Sequence, residues 1–347
     1  MHNMISIKTN RLVLFLFLFP SMLFSQLENK EPVNNILIKG SFVTWKQDTY
    51  PIDSVPLDKL SQLDICFAFP EKDGQLNTSE IKDIKNIVEK CHAQHVKVAL
   101  CIGGANTSQH FPELSKTDST RKRFVQNTLD YTIENKIDHI DIDWEYWPTP
   151  EVVDQEVNKN IVLLFKELYQ QLSLHNITLG YDVYPGDWYG KHYPSELINY
   201  ADEIVIMAFS DAGPWSEIGN HSPTSLVEES YNYWVSRIGE ENKHKVSITL
   251  PFYGFKFDKN HTAGNSETAS NIGYNEILKD FPSAYQQDTL TTDEHIYIHN
   301  GINTINQKIK LFQKFEVKSV IIWELSHDEG TGNKSLLNYL YQNVNKK

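Results

Sequence analysis

Eight short runs rich in β-branched and aromatic residues recur along the chain: NILIKGSF (35–42), LDICFAF (63–69), VKVALCIGG (96–104), IDHIDIDWE (137–145), ITLGYDVY (177–184), DEIVIMAFS (202–210), KVSITLPFYG (245–254) and VKSVIIWELS (317–326). Their lengths and residue types are those of strands. Between most of them, polar segments carry apolar residues at helical intervals, as Ile81, Ile84, Ile87 and Val88 do within 79–95. Segments 118–136 and 158–175 read the same way, and Ser79 and Asp118 are the expected N-caps. Strands alternating with helices predict a parallel sheet, because a helical crossover lets consecutive strands run the same way. Eight such units predict an α/β fold, a single-domain (β/α)8 barrel. An open doubly wound sheet is the other architecture; against it, GSFVTW stands after the first strand where a glycine-rich nucleotide loop belongs. The polar, Asn- and Thr-rich stretch from Phe255 to Asn300 reads as a long loop with one helix, YNEILKDF: a reduced insertion after the seventh strand.

One strand breaks the apolar pattern. KIDHIDIDWEYW (136–147) carries Asp138, Asp141, Asp143 and Glu145, the last three alternating with Ile142 and Trp144. In a barrel, Asp141, Asp143 and Glu145 share the inward face while Ile140, Ile142 and Trp144 face the helices, and Glu145 comes last, at the mouth. Asp138 falls outside this row and reads as a structural cap. Carboxylates stacked this closely cannot all ionise cheaply, so the group retains a proton near neutral pH. A protonated carboxyl at the mouth suits general-acid attack on a poor leaving group such as a glycosidic oxygen. Trp45, Trp147, Trp188, Trp215 and Trp323 all fall at or just after strand ends, where flat faces can stack on pyranose rings.

Composition narrows the partners. With 40% hydrophobic content the 347 residues can bury a large core, and a formal net charge of −13 without a basic cluster argues against nucleic acid or an anionic membrane. The N-terminus carries Lys8 and Arg11, the apolar run Leu12 to Phe24, then Ser25: the pattern of a cleavable signal peptide over 1–25, with an uncleaved membrane anchor as the alternative. The expected product, 26–347, is secreted or periplasmic, without an integral membrane span. Three cysteines, Cys66, Cys91 and Cys101, do not make a disulfide framework; buried thiols are expected, with a Cys66–Cys101 bridge as the alternative. The close histidine pair His92/His95 has no third ligand beside it, so no metal is predicted.

The motif Asp138-x-x-Asp141-x-Asp143-x-Glu145 resembles the DxxDxDxE signature of glycoside hydrolase family 18, the chitinases and endo-β-N-acetylglucosaminidases. CFAF, CIGG, IMAFS, PFYG and WELSHD resemble that family's second-, third-, sixth-, seventh- and eighth-strand elements, in its order, over about residues 35–340. The resemblance implies a carbohydrate-binding monomer without a cofactor, in which Glu145 protonates the glycosidic oxygen, Asp143 turns toward the 2-acetamido group and Asp141 holds the partner proton. It implies substrate-assisted catalysis through an oxazolinium ion, an exception to the two-carboxylate rule. Asp182 and Asp211 are the carboxylates from other strand ends that bear on that exception. Trp323 would floor the sugar; Met207 and Tyr253 would line it; Gly104 stands in the matching CIGG segment, and Trp45, after the first strand, is a further substrate-binding candidate.

The sequence also departs from the pattern. Phe209 replaces the family's sixth-strand tyrosine and Ser210 its aspartate, Cys101 replaces the third-strand serine, and Ser41 stands for the first-strand tyrosine. Tyr181, Tyr184 or Asp211 are the candidates to compensate, and the reduced insertion implies a shallow cleft and endo action. The leading expectation is hydrolysis of β-1,4-linked N-acetylglucosamine in chitin or chito-oligosaccharides. The alternatives are cleavage of the chitobiose core of N-glycans and lectin-like binding without turnover.

Overall fold

The computed structural model describes residues 35–330 and 332–346, so the segment expected as a signal peptide lies outside the described residues. Eight parallel strands form the barrel: β1 (Leu37–Val43), β2 (Gln62–Pro70), β3 (Lys97–Gly103), β4 (His139–Asp143), β5 (Thr178–Val183), β6 (Glu203–Ile206), β7 (Val246–Pro251) and β8 (Ser319–Trp323). Each pairs with the next in chain order, and β8 pairs back to β1, closing the sheet. Each predicted run overlaps one of these strands, the first two strands extending a residue beyond their runs. Among the described residues no helix is long and apolar enough to cross a membrane.

Period-2 patterning explains the layers. Ile140, Ile142, Leu179, Tyr181, Ile248 and Leu250 point outward and are buried under the helices, while the opposite parity fills the barrel. Helix boundaries moved by local capping. Thr117 rather than Asp118 caps Asp118–Glu134, its hydroxyl accepting from Thr120 N–H, and Asp154 caps Gln155–Ser173. The expected helix from Ser79 begins only at Ile84, because Asp83 adopts a left-handed conformation that a helix cannot propagate through.

The insertion after β7 corrects the sequence expectation. It is a four-stranded antiparallel sheet, in the order Ala269–Gly273, Tyr253–Asp258, His295–Ile298, Thr289–Thr291, with helix Tyr274–Asp280. Tyr253, Phe255 and Phe257 alternate with Gly254 and Lys256 and pack with Ile298 in a small apolar core of their own. The period-2 signal was present, but it runs on from the seventh strand, and the edge strands are polar. The insertion is therefore no bare loop, and the shallow cleft expected from one does not follow.

At the end of the barrel opposite the acids' mouth, Lys39 Nζ on β1 meets Glu203 Oε2 on β6 at 2.5 Å. Ser319 Oγ donates to Glu203 Oε1 at 2.8 Å, Ser247 donates to the same oxygen, and Lys318 approaches at 3.5 Å. Burial pushes Glu203 up, but the Lys39 and Lys318 charges outweigh it and hold the carboxyl below its ordinary range. Replacing one partner strands a buried charge. Lys39→Met should lower unfolding free energy by about 3–5 kcal/mol in a urea titration, and Lys39→Met/Glu203→Leu should recover most of that loss. A wild-type midpoint for the single variant would contradict the assignment.

Candidate active site

Strand β4 delivers its acids as its alternation requires. Ile140, Ile142 and Trp144 are buried on the helix side, where Trp144 stacks on Phe111 with centroids 4.8 Å apart and planes 8° apart. Asp141 and Asp143 point inward and are buried. Glu145 lies two residues past the strand end and is half-buried; its N–H donates to Ser108 Oγ (3.1 Å), which lies 2.7 Å from Asp143 O. Asp138 is structural: its carboxylate accepts Val98 N–H at 2.8 Å and lies 2.9 Å from His92 Nε2, which also accounts for one histidine of the close pair.

The acids are linked in pairs. Asp143 hydrogen-bonds Glu145, and Asp141 hydrogen-bonds Asp182 of β5. Burial first, then the charges of Glu145 and Asp141, hold Asp143 well above the ordinary carboxylate range. Burial raises Glu145 as well, while Tyr184 and Asp143 beside it draw it back. Burial, then the charges of Asp141 and Asp143, hold Asp182 well above its ordinary range. Burial and the nearby Asp64 and Glu203 push Asp141 up to about 7, and burial pushes Asp64 up to about 6.

Above the acids opens a cavity of about 680 Å³. Its lining includes Asp141, Asp143 and Glu145 together with Trp45, Gly104, Met207, Phe209, Ser210 and Trp323. Trp45, Phe67 and Trp323 form one aromatic wall, with centroids 5.8–6.4 Å apart; Trp188 and Trp215 also line the opening, 72% and 53% exposed. Trp147 does not belong with them: it is buried against His192 and Tyr193. Tyr181 has outward parity and packs edge-on to Phe165, so it offers the site no hydroxyl, whereas Tyr184 reaches Glu145. Tyr253 stands behind the lining, packed on Phe209 at 6.1 Å and with Ser210 beside its hydroxyl. Asp211 is turned away: Ser210 takes a φ of 70°, Asp211 N–H donates to His221 O, and its side chain is exposed. The one-residue shift that would have brought Asp211 in does not occur.

Of two further interior carboxyls, Asp182 was weighed in the sequence as a carboxylate from another strand end, and Asp64 was not. Asp64 on β2 and Asp182 on β5 both line the cavity floor. Each is an acid at inward parity within an otherwise apolar strand, the signal that made β4 conspicuous.

The family model for glycosyl hydrolases family 18 matches residues 40–328. The chain belongs to that family. It is 28% identical over 268 residues to a "chitinase-like effector" of Moniliophthora roreri, covering 70% of this chain and 65% of that protein. It is 24% identical over 306 residues to "Probable chitinase 2" of Drosophila melanogaster, covering 73% of this chain and 60% of the relative. The chain thus spans less than two thirds of the length of these curated relatives. Among solved structures it resembles the family 18 chitinase ChiB from the chitin utilization locus of Flavobacterium johnsoniae, with a TM-score of 0.74, 24% identity and coverage of 90% and 94% of the two chains. It also resembles human YKL-39, described as a pseudo-chitinase with retained chitooligosaccharide binding, with a TM-score of 0.78, 19% identity and coverage of 90% and 100%. At these identities the solved structures establish the fold of this family 18 chain.

Cys66 and Cys101, register partners on β2 and β3, lie side by side near the acids as free buried thiols rather than as a bridge, and Cys66 Sγ donates to Asp64 O at 3.5 Å. Burial raises Cys66; the adjoining Cys66 thiol, then burial, raise Cys101 strongly; burial pushes Cys91 up to about 12. Thiolate is the reactive form. Ellman's reagent at pH 8 should therefore find none of the three cysteines in the native protein and all three after denaturation. Rapid labelling of a native thiol would contradict this.

Proposed function

We propose that this family 18 protein is an exported, retaining glycoside hydrolase that cleaves β-1,4 linkages of N-acetylglucosamine in chitin or chito-oligosaccharides. One observation carries the reading: Asp143 is hydrogen-bonded to Glu145 at the floor of an aromatic-walled cavity. The proton held between them is delivered from Glu145 to the glycosidic oxygen as the bond to the leaving sugar breaks. The acetamido oxygen of the sugar attacks its own anomeric carbon from the opposite face, giving an oxazolinium ion. Asp143 faces the acetamido N–H. Water then opens the ring with retention and returns a proton to Glu145.

The remaining carboxylates agree with this route. Asp64 and Asp182 lie on the floor, and Asp182 is engaged with Asp141. Neither is a free nucleophile across the cleft from Glu145, which a two-carboxylate retaining mechanism requires. Trp323 would carry the reacting sugar on its face, with Met207 beside it.

A second reading, chito-oligosaccharide binding with little turnover, is favoured by Phe209, which presents an apolar edge where a hydroxyl would steady the developing charge. Loss of one such donor costs about 10²–10³ in rate.

Glu145→Gln should lower hydrolysis of a fluorogenic chitobioside by about 10²–10⁴ or more while calorimetric binding of chitotetraose persists. Unchanged hydrolysis would sink the assignment, and release of glycans from a high-mannose glycoprotein, with chitobioside untouched, would move the substrate to N-glycans. Phe209→Tyr should raise kcat by about tenfold or more if the missing hydroxyl limits the rate. A kcat equal to or below wild type would assign the low-polarity wall to another role.

A further inference from the structure

The row Asp141, Asp143 and Glu145 leaves Asp182 unexplained. It sits on β5, which pairs with β4 so that Gly180 lies opposite Asp141 and Tyr181 opposite Ile142. Asp182 therefore lies beside Asp143 on the inward face, 9% exposed. A polar group buried so deeply is retained only where it has a partner or a task. Its partner is Asp141, a second carboxyl.

The arrangement of bonds gives the task. Asp143 is turned up to Glu145, which leaves Asp141 behind. Asp141 Oδ1 has no hydrogen-bond partner. The interior cation, Lys39, is committed to Glu203. Gly180 keeps space for the Asp141 carboxylate, since a Cβ there would come within 2.8 Å of Oδ1. The Lys39 charge still reaches Asp141, and the hydrogen bond from Asp182 adds to it in holding charge there. We propose that Asp182 is a positioning residue of the proton relay, a carboxyl that donates its hydrogen to Asp141 and keeps it ionised while Asp143 is engaged with Glu145. This rests on the reading of Glu145 as the acid. No proton is lost in the exchange: one is held between Asp143 and Glu145, and one between Asp182 and Asp141.

The titratable groups around Asp182 are Asp141, Asp143 and Glu145 from β4 and its end, Asp64 and Cys66 from β2, Cys101 from β3, and the nearby Tyr184 and Tyr193; Lys39 of β1 and Glu203 of β6 act on its partner Asp141. The acids outnumber Lys39, and burial is the first cause of the high Asp182 value. Donation to a carboxylate lowers the recipient's pKa, so losing the donor raises it.

The test compares Asp182→Val and Asp182→Asn with wild type in kcat, KM and pH profile on the fluorogenic chitobioside. Asp182→Val should lose about 10–100-fold in kcat, the worth of one hydrogen bond to a charged group. Its KM should stay within about twofold and the acid limb of its profile should move to higher pH. Asp182→Asn, whose amide still donates, should recover most of the loss with the acid limb at or below the wild-type position. A silent Asp182→Val, or an Asp182→Asn as impaired as Asp182→Val, overturns the proposal.

A turnover-free measurement separates this from the hydrolase reading. A carboxyl whose folded pKa is raised destabilises the fold progressively as pH rises from its unfolded value, near 3.9, through the folded one. The asparagine does not titrate. The melting temperature of Asp182→Asn relative to wild type should therefore rise by at least about 2–4 °C between pH 4 and pH 8. A constant difference means that Asp182 holds no proton and overturns the proposal; a wild type inactive on every substrate overturns the hydrolase reading instead.

Discussion

Carboxyl groups crowded into a barrel interior that water barely reaches impose the constraint on which the rest depends. Isolated ionised carboxylates there would cost more than the fold could bear. The chain meets the constraint in two ways along the barrel axis. At the closed end, Glu203 is kept ionised by Lys39, Lys318 and two serine hydroxyls. Toward the mouth, Asp141, Asp143, Asp182 and Glu145 manage instead by sharing protons in pairs. A barrel that stored its acids only as ion pairs would be quieter electrostatically, and it would have no proton to give.

The aromatic wall complements that polar floor. Trp45, Phe67 and Trp323 lie against one another above the acids, and Trp188 and Trp215 extend the apolar surface outward. A ligand that fits has flat apolar faces and polar edges, which describes a pyranose chain better than a charged metabolite. The Tyr253–Asp258 strand ties the insertion sheet to this wall, because Tyr253 backs Phe209 and Ser210 from behind. The insertion thus helps to build the site rather than leave it open.

How far the sequence spoke can be told residue by residue. The β4 alternation was legible because period 2 is a geometric property of strands, and it located Asp141, Asp143 and Glu145 together with the burial of Ile140, Ile142 and Trp144. Trp147 was misread because proximity to a strand end does not say which way an indole turns; its ring finds His192 and Tyr193 in the core. Asp211 was misread because the left-handed φ at Ser210, uncommon for serine, breaks the strand alternation, and Asp211 is exposed. The insertion sheet escaped because its outer strands, such as Thr289–Thr291, are short and polar and acquire their identity only by pairing with Tyr253–Asp258 and His295–Ile298. Lys39 and Glu203 are far apart in the chain and meet only once the barrel closes. Their pairing is a product of topology, which local pattern does not encode.

Substrate-assisted retention is the central claim, and the anomeric form of the first product tests it most directly. Proton NMR during early hydrolysis of chitohexaose, before mutarotation, should show the β-anomer of the newly formed reducing end. Accumulation of the α-anomer first would mean inversion by a single displacement, and would contradict the proton-sharing acids as the machinery described here.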